Sequence, residues 1–195
     1  MSLGRKNDTR ATVANALTAF RLLAAPGMLL CALADEPQLF LWLLVAAFAS
    51  DAADGAAARL SGGGTPFGAR FDSITDAITY TAIIISVVLL WPDLVRQEFP
   101  AVFVIVASLV LPAAAGLWKY GQLTSYHTRL VKLAVSAVAI GLLLMLCDVS
   151  VWPFRAAAIL AACSAIEEVA ITLLLREPKS DVPGLYAAWR GSRPT

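Results

Sequence analysis

Charge is what this sequence has least of. Only 15% of its 195 residues are Asp, Glu, Lys or Arg, against roughly 25% in an ordinary soluble domain. The 15 basic and 14 acidic residues nearly cancel to a formal charge of +1, and no basic run interleaved with aromatics occurs, which excludes a nucleic-acid partner. Histidine occurs once, at His127, and the three cysteines, Cys31, Cys147 and Cys163, have no paired spacing. A disulfide framework and a zinc site are thereby excluded, and the cysteines read as small residues of apolar runs. Apolar residues take the place of the missing charge: 59% of the chain is hydrophobic and the mean hydropathy is +0.74. This is the composition of a membrane protein.

The N-terminal segment has basic residues ahead of an apolar run, as a signal peptide does. The run is too long for a signal peptide and further apolar stretches follow, so it reads as a retained first helix. A bilayer core of about 30 Å takes roughly 20 helical residues, and six such stretches lie near 14–34, 38–60, 68–91, 100–118, 127–147 and 152–175. Breakers stand at the joins, "DEPQ", "SGGGTPFG", "WPDLVRQEFP", "KYGQLTSYH" and "CDVSVWP", and each reads as turn chemistry. The expected fold is all-α and polytopic, with six transmembrane helices, residues 1–176 forming one membrane domain and 177–195 a cytoplasmic tail. With both termini cytoplasmic, Arg5, Lys6, Arg10, Arg59, Arg70, Lys119, Arg129, Lys132 and the four basic residues from Arg176 onward fall on the inner side. Only Arg96 and Arg155 fall outside, and the positive-inside rule selects this orientation. Trp91 and Trp152 then mark the outer interface and Trp118 the inner one. The tail either lies on the inner leaflet through Leu185, Tyr186 and Trp189 or is an unordered polar segment.

Against this apolar background the stretch "DAADGAAARLSGGGTPFGARFDSITD", residues 51–76, carries four aspartates. Asp51 and Asp54 are three apart at the cytoplasmic end of the second span, and Asp72 and Asp76 are four apart at the start of the third. Those spacings put each pair on one helical face. The short connection makes the two helices antiparallel neighbours, so that both pairs converge near the membrane surface. Four converging carboxylates require cations, and hard divalent ions such as Mg2+ or Mn2+ prefer carboxylate oxygens and leave positions open for water or phosphate. Two ions would suit phosphoryl chemistry. Gly55, Ala56, Ala57 and Ala58 leave one side of the helix nearly bare, which admits either a flat nucleotide group or a tightly packed helix, and Arg59 adds a fork suited to a diphosphate.

Asp51, two residues, Asp54-Gly55, two residues, Ala58-Arg59, eight residues, Gly68, three residues, Asp72, three residues and Asp76 form a pattern that resembles the signature of the CDP-alcohol phosphotransferases at every fixed position. With average residue usage, eight such positions arise by chance in a chain of this length on the order of once in 10⁸. The segment "NALTAFRLLAAP", with Asn15, Thr18 and Arg21 at three-residue steps, also looks like the family's entry into its first helix. The resemblance implies an enzyme of phospholipid synthesis, an integral membrane protein of the bacterial inner membrane type, that moves a substituted phosphate from a CDP-linked donor to an alcohol and releases CMP. By similarity Asp51, Asp54, Asp72 and Asp76 would hold the metal, with Asp76 also the general base. Gly55, Ala58, Arg59 and Gly68 would line the CDP pocket, and the enzyme would be a homodimer.

The donor expected from the resemblance is CDP-diacylglycerol, with a CDP-choline or CDP-ethanolamine donor and a diacylglycerol acceptor as the mirrored alternative. A non-catalytic divalent-cation-binding membrane protein is a third reading. It leaves the glycines, Ala58 and Arg59 without a role. The acceptor stands open among glycerol phosphate, inositol phosphate, inositol, serine and other polyols. Lys119, His127, Arg129 and Lys132, between spans four and five, could bind a phosphate on the acceptor, and Arg129 and Lys132 are the main candidates. The family's phosphatidylglycerophosphate synthases tend to carry a glycine-lysine-x-lysine-threonine run here, where this chain has Tyr126-His127-Thr128-Arg129; the same charges would also follow from the positive-inside rule alone. Glu167 and Glu168 lie within the sixth span, where acids default to pairing or function. Arg155 is too far along the same helix to reach either, which leaves a pairing across helices to Arg21 or Lys132, a place in an alcohol-binding cavity, or a polar dimer contact.

Overall fold

A computed structural model describes residues 3–61, 66–122, 126, 128–175, 177, 182 and 184–191. Among them the backbone is all-α, as expected. The helices are α1 (Leu3–Leu33), α2 (Pro37–Ser61), α3 (Pro66–Leu90), α4 (Pro92–Gln97), α5 (Phe99–Tyr120), α6 (Arg129–Leu146), α7 (Trp152–Leu174) and α8 (Leu185–Gly191). Proline opens α2, α3 and α4, where its missing N–H would have had no partner in any case. The expected breaks are realised at Asp35 and Asp148, both at φ 55°, and at Gly121, whose amide closes on Leu117. These are left-handed residues of the kind that end helices by satisfying their last carbonyls.

Among the described residues three helices, α5, α6 and α7, are long and apolar enough to cross a bilayer. Within the described residues the first three helices hold the apolar stretches Ala19–Leu33, Pro37–Ala53 and Ile74–Leu90. The apolar stretch of α5 is only 17% buried and that of α6 22%. Helices this apolar that turn their side chains outward need a solvent other than water.

The chain divides into two compact units, Met1–Arg96 and Gln97–Thr195. In the first, α1 packs against both α2 and α3 and buries Ala24, Ala25, Met28, Cys31 and Ala32. Both aspartate-bearing helices lean on α1, whose small buried side chains let it seat against the two of them. A groove of about 410 Å³ runs between α1 and α3, lined by Ala25, Pro26 and Leu29 on one side and by Ala77, Ile78, Thr81, Ala82 and Ile85 on the other.

In the second unit α7 is central and packs against α5, α6 and α8. Its buried face is mostly small: Ala157, Ala158, Ala161, Ser164 and Ala165. At Gly141 of α6 a Cβ would stand 2.8 Å from the Cα of Phe154, so only glycine permits this approach. One feature departs from the sequence reading. The segment "WPDLVRQEFP" is not all turn, since Pro92 starts the short helix α4. The tail contains α8, which is set against α7 by Val182 and Ala188 in a cluster with Tyr126, Ile171 and Leu175, while Leu185, Tyr186 and Trp189 are exposed.

The ends of α5 and α7 are joined twice. The Arg155 guanidinium donates from Nε and Nη2 to Glu98 Oε2 and Oε1, at 2.8 and 2.7 Å, and stacks over Trp152 at 5.0 Å. Arg155 beside it holds the Glu98 carboxyl below its ordinary value of 4.5, against the opposing effect of burial. At the far end Lys119 Nζ donates to the carbonyls of Thr172, Leu173 and Leu175 at 2.8, 2.7 and 2.8 Å. The Tyr120 hydroxyl lies 2.9 and 2.8 Å from the carbonyls of Thr172 and Leu175. A cation at a helix C-terminus meets the negative end of the helix dipole and carbonyls that lack intrahelical partners.

Candidate active site

Three helices contribute charge to one point of the first unit. Asp51 lies in the second half of α2, Asp76 in α3, and between them the Arg21 side chain reaches out from α1. Arg21 Nη1 donates to Asp51 Oδ1 at 2.7 Å and also to Asp76 Oδ1. A single nitrogen thus bridges two carboxylates that are 25 residues apart in sequence. The Arg21 side chain is 3% exposed, whereas those of Asp51 and Asp76 are 46% and 30% exposed. The cation is buried and the carboxylates are partly exposed. The apolar groove between α1 and α3 starts beside this point, since Ala77 and Ile78 directly follow Asp76.

The backbone is helical at Asp54, Gly55, Ala58 and Arg59 on α2 and at Gly68 and Asp72 on α3, so Asp54 shares a face with Asp51 and Asp72 with Asp76. The side chains of these six residues lie outside the described residues, as does His127. Among the described residues no group of three or more His, Cys, Asp or Glu comes together. The two aspartates that are described supply hard oxygen donors from different helices aimed at one atom. That donor set fits Mg2+ or Mn2+ and does not suit zinc.

The second polar patch belongs to the other unit. Arg129 and Lys132 are exposed on the first turn of α6. Thr128 caps that helix: it is fully buried, and its hydroxyl accepts from the Val131 amide at 3.2 Å. Lys119 is corrected as an acceptor-phosphate candidate. An ammonium has three protons to donate, and three carbonyls of α7 take them. Glu167 is likewise redirected, because it accepts from the Thr128 hydroxyl at 2.8 Å and the Leu185 amide at 3.2 Å. Arg155, set aside as a partner for the paired acids, is committed to Glu98.

Sequence reasoning gave Arg21 no role in the site beyond its place in a three-residue step. That step was the available signal, for an arginine within an apolar helix needs a counter-charge, and the signature aspartates supply it.

A sequence model described as CDP-alcohol phosphatidyltransferase matches residues 11–175. No curated protein and no solved structure matches the chain significantly.

Proposed function

The chain belongs to the CDP-alcohol phosphatidyltransferase family, and on that footing we propose that it transfers the phosphatidyl group of CDP-diacylglycerol to the hydroxyl of a small alcohol, releasing CMP. The family makes it a membrane transferase of phospholipid synthesis. The identity of the donor, the alcohol and the residues that act is the proposal.

The observation that carries it is the Arg21 bridge. It draws Asp51 and Asp76 to one point beside an apolar groove that suits an acyl chain. In the proposed reaction the acceptor oxygen attacks the phosphatidyl phosphorus, the bond to the CMP phosphate breaks, and the proton of the acceptor hydroxyl passes to Asp76. Asp51, Asp54, Asp72 and Asp76 would hold the divalent ions, two in the full reading, which supply charge neutralisation for the diphosphate. Gly55, Ala58, Arg59 and Gly68 would receive the CDP, with the bare helix face admitting the nucleotide and Arg59 meeting phosphate. Arg129 and Lys132 would meet a phosphate on the acceptor. Arg21 stays out of the transfer and supplies the counter-charge that lets two carboxylates share one place.

The proposal includes six spans, α1, α2, α3, α5, α6 and α7, with both ends and the aspartates at the cytoplasmic face. Support comes from the charge asymmetry that leaves Arg96 and Arg155 alone on the far side. At 1.5 Å per residue, the 25 residues of α2 reach about 37 Å, long enough to cross the core and carry the signature clear of it. A homodimer completes the reading and rests on the family alone.

The test is CMP release by the purified protein in lipid or detergent, with CDP-diacylglycerol, Mg2+ or Mn2+ and a panel of alcohols, alongside Asp76→Asn. Acceptor-dependent CMP that disappears in the variant is the expected result. CMP formed only with CDP-choline or CDP-ethanolamine and diacylglycerol would move the assignment to the mirrored reaction. Metal binding without affinity for CDP or CMP would end the enzymatic reading.

A further inference from the structure

Glu167 is a carboxylate inside an apolar helix whose two oxygens face in different directions along the chain. Oε2 accepts from the Thr128 hydroxyl at 2.8 Å. That hydroxyl has one proton to give, and with its lone pair it caps the Val131 amide. Glu167 therefore fixes the orientation of the residue that starts α6. Oε1 accepts from the Leu185 amide at 3.2 Å, the first residue of α8. The approach depends on Gly184, where a Cβ would stand 3.2 Å from that same oxygen.

The neighbouring contacts hold the same two segments. The Tyr126 backbone is hydrogen-bonded to Glu168, and the Tyr126 hydroxyl lies 3.0 Å from that of Thr172. Tyr126 packs with Val182 and Ala188 in one apolar cluster on α7. The approach to α6 and the C-terminal helix thus rest on a common support, and the Glu167 side chain bonds to both. Arg129 follows the cap directly and Lys132 is one turn on.

We propose that Glu167 is a positioning residue for acceptor recognition, which fixes the start of α6 with its exposed cations Arg129 and Lys132 and couples them to the C-terminal helix α8. This rests on the reading that Arg129 and Lys132 meet the acceptor phosphate. Glutamine keeps the size of Glu167 but offers one acceptor oxygen for two donors. A larger residue at position 184 crowds Glu167 Oε1, so that the carboxylate must shift from its place between the two segments.

The experiment uses the full chain in detergent with Glu167→Gln, Gly184→Val, Arg129→Ala and Lys132→Ala. Steady-state kinetics are measured against a phosphorylated acceptor, glycerol 3-phosphate or inositol phosphate as the enzyme accepts, and against CDP-diacylglycerol. Amide hydrogen exchange is followed in residues 128–134 and 184–190. Glu167→Gln should raise the acceptor KM about fivefold or more with kcat and the donor KM within about twofold, and should speed exchange in both segments. Gly184→Val should do the same to a lesser degree. Unchanged exchange at the start of α6 in Glu167→Gln would overturn the positioning role whatever the kinetics. A fall in kcat with no change in acceptor KM would overturn it as well, as the mark of a merely structural residue. If exchange accelerates but Arg129→Ala and Lys132→Ala leave the acceptor KM unaltered, the acceptor-site reading fails and the proposal falls with it.

Discussion

Removing the charge of Arg21 should make the stability of the protein depend on divalent cation. Arg21→Gln removes two charge-assisted hydrogen bonds, each worth about 1.5–3 kcal/mol, and deleting one partner of a fully buried ion pair costs about 3–5 kcal/mol. The guanidinium is buried, but the carboxylates are 46% and 30% exposed, so water screens part of the loss and about 2–3 kcal/mol is the expected deficit. A cation bound at a hundred times its Kd returns about 2.7 kcal/mol by linkage. In the wild type the incoming ion competes with Arg21 for the same two oxygens, so its net gain is smaller. Thermal denaturation of the detergent-solubilised protein, with EDTA or with saturating Mg2+, should show the variant well below wild type in EDTA and most of that gap closed by Mg2+. An equal deficit in both conditions, or none in EDTA, would refute the role assigned to Arg21.

Two further outcomes follow from the contacts between α5 and α7. Arg155 holds the Glu98 pKa below 4.5, and a depressed carboxylate stabilises the fold above its unfolded pKa and loses that contribution as pH falls through the folded one. Thermal stability should therefore be level from neutral pH down to about 5 and decline below about 4.5, and Glu98→Gln should start lower and lose that acid-dependent component; a variant that tracks wild type at every pH would show the pair to be inert. Lys119→Met should lower thermal stability by about 1–2 kcal/mol through loss of the α7 cap and leave the acceptor KM unchanged, whereas a raised acceptor KM at full stability would restore Lys119 to phosphate binding.

What could be read in advance was what repeats at short range. The spacing of Asp51, Asp54, Asp72 and Asp76 is local, and so are the proline, glycine and aspartate breaks that became Asp35, Gly121 and Asp148. The helix α4 was missed because a proline followed by an aspartate reads equally as a turn or as the first residues of a helix. The destination of Lys119 was hidden for another reason: its partners lie more than 50 residues away and are backbone carbonyls, which leave no trace in side-chain pattern. Glu167 could be recognised as needing partners, but a threonine 39 residues before it and an amide 18 residues after it are set by tertiary packing alone. Arg21 stands between these cases, its helical step legible and its two partners not.

The double clasp between α5 and α7 bears on how the protein meets bilayers of different thickness. Glu98 and Lys119 are 21 residues apart, about 32 Å along a helix, close to the depth of the hydrocarbon layer. Fastened to α7 near both of its ends, α5 can neither slide along it nor swivel against it. A thinner membrane must then be met by leaning the fastened pair as one rigid strut, so that whatever α6 carries at its first turn shifts sideways with it and keeps its register with α7.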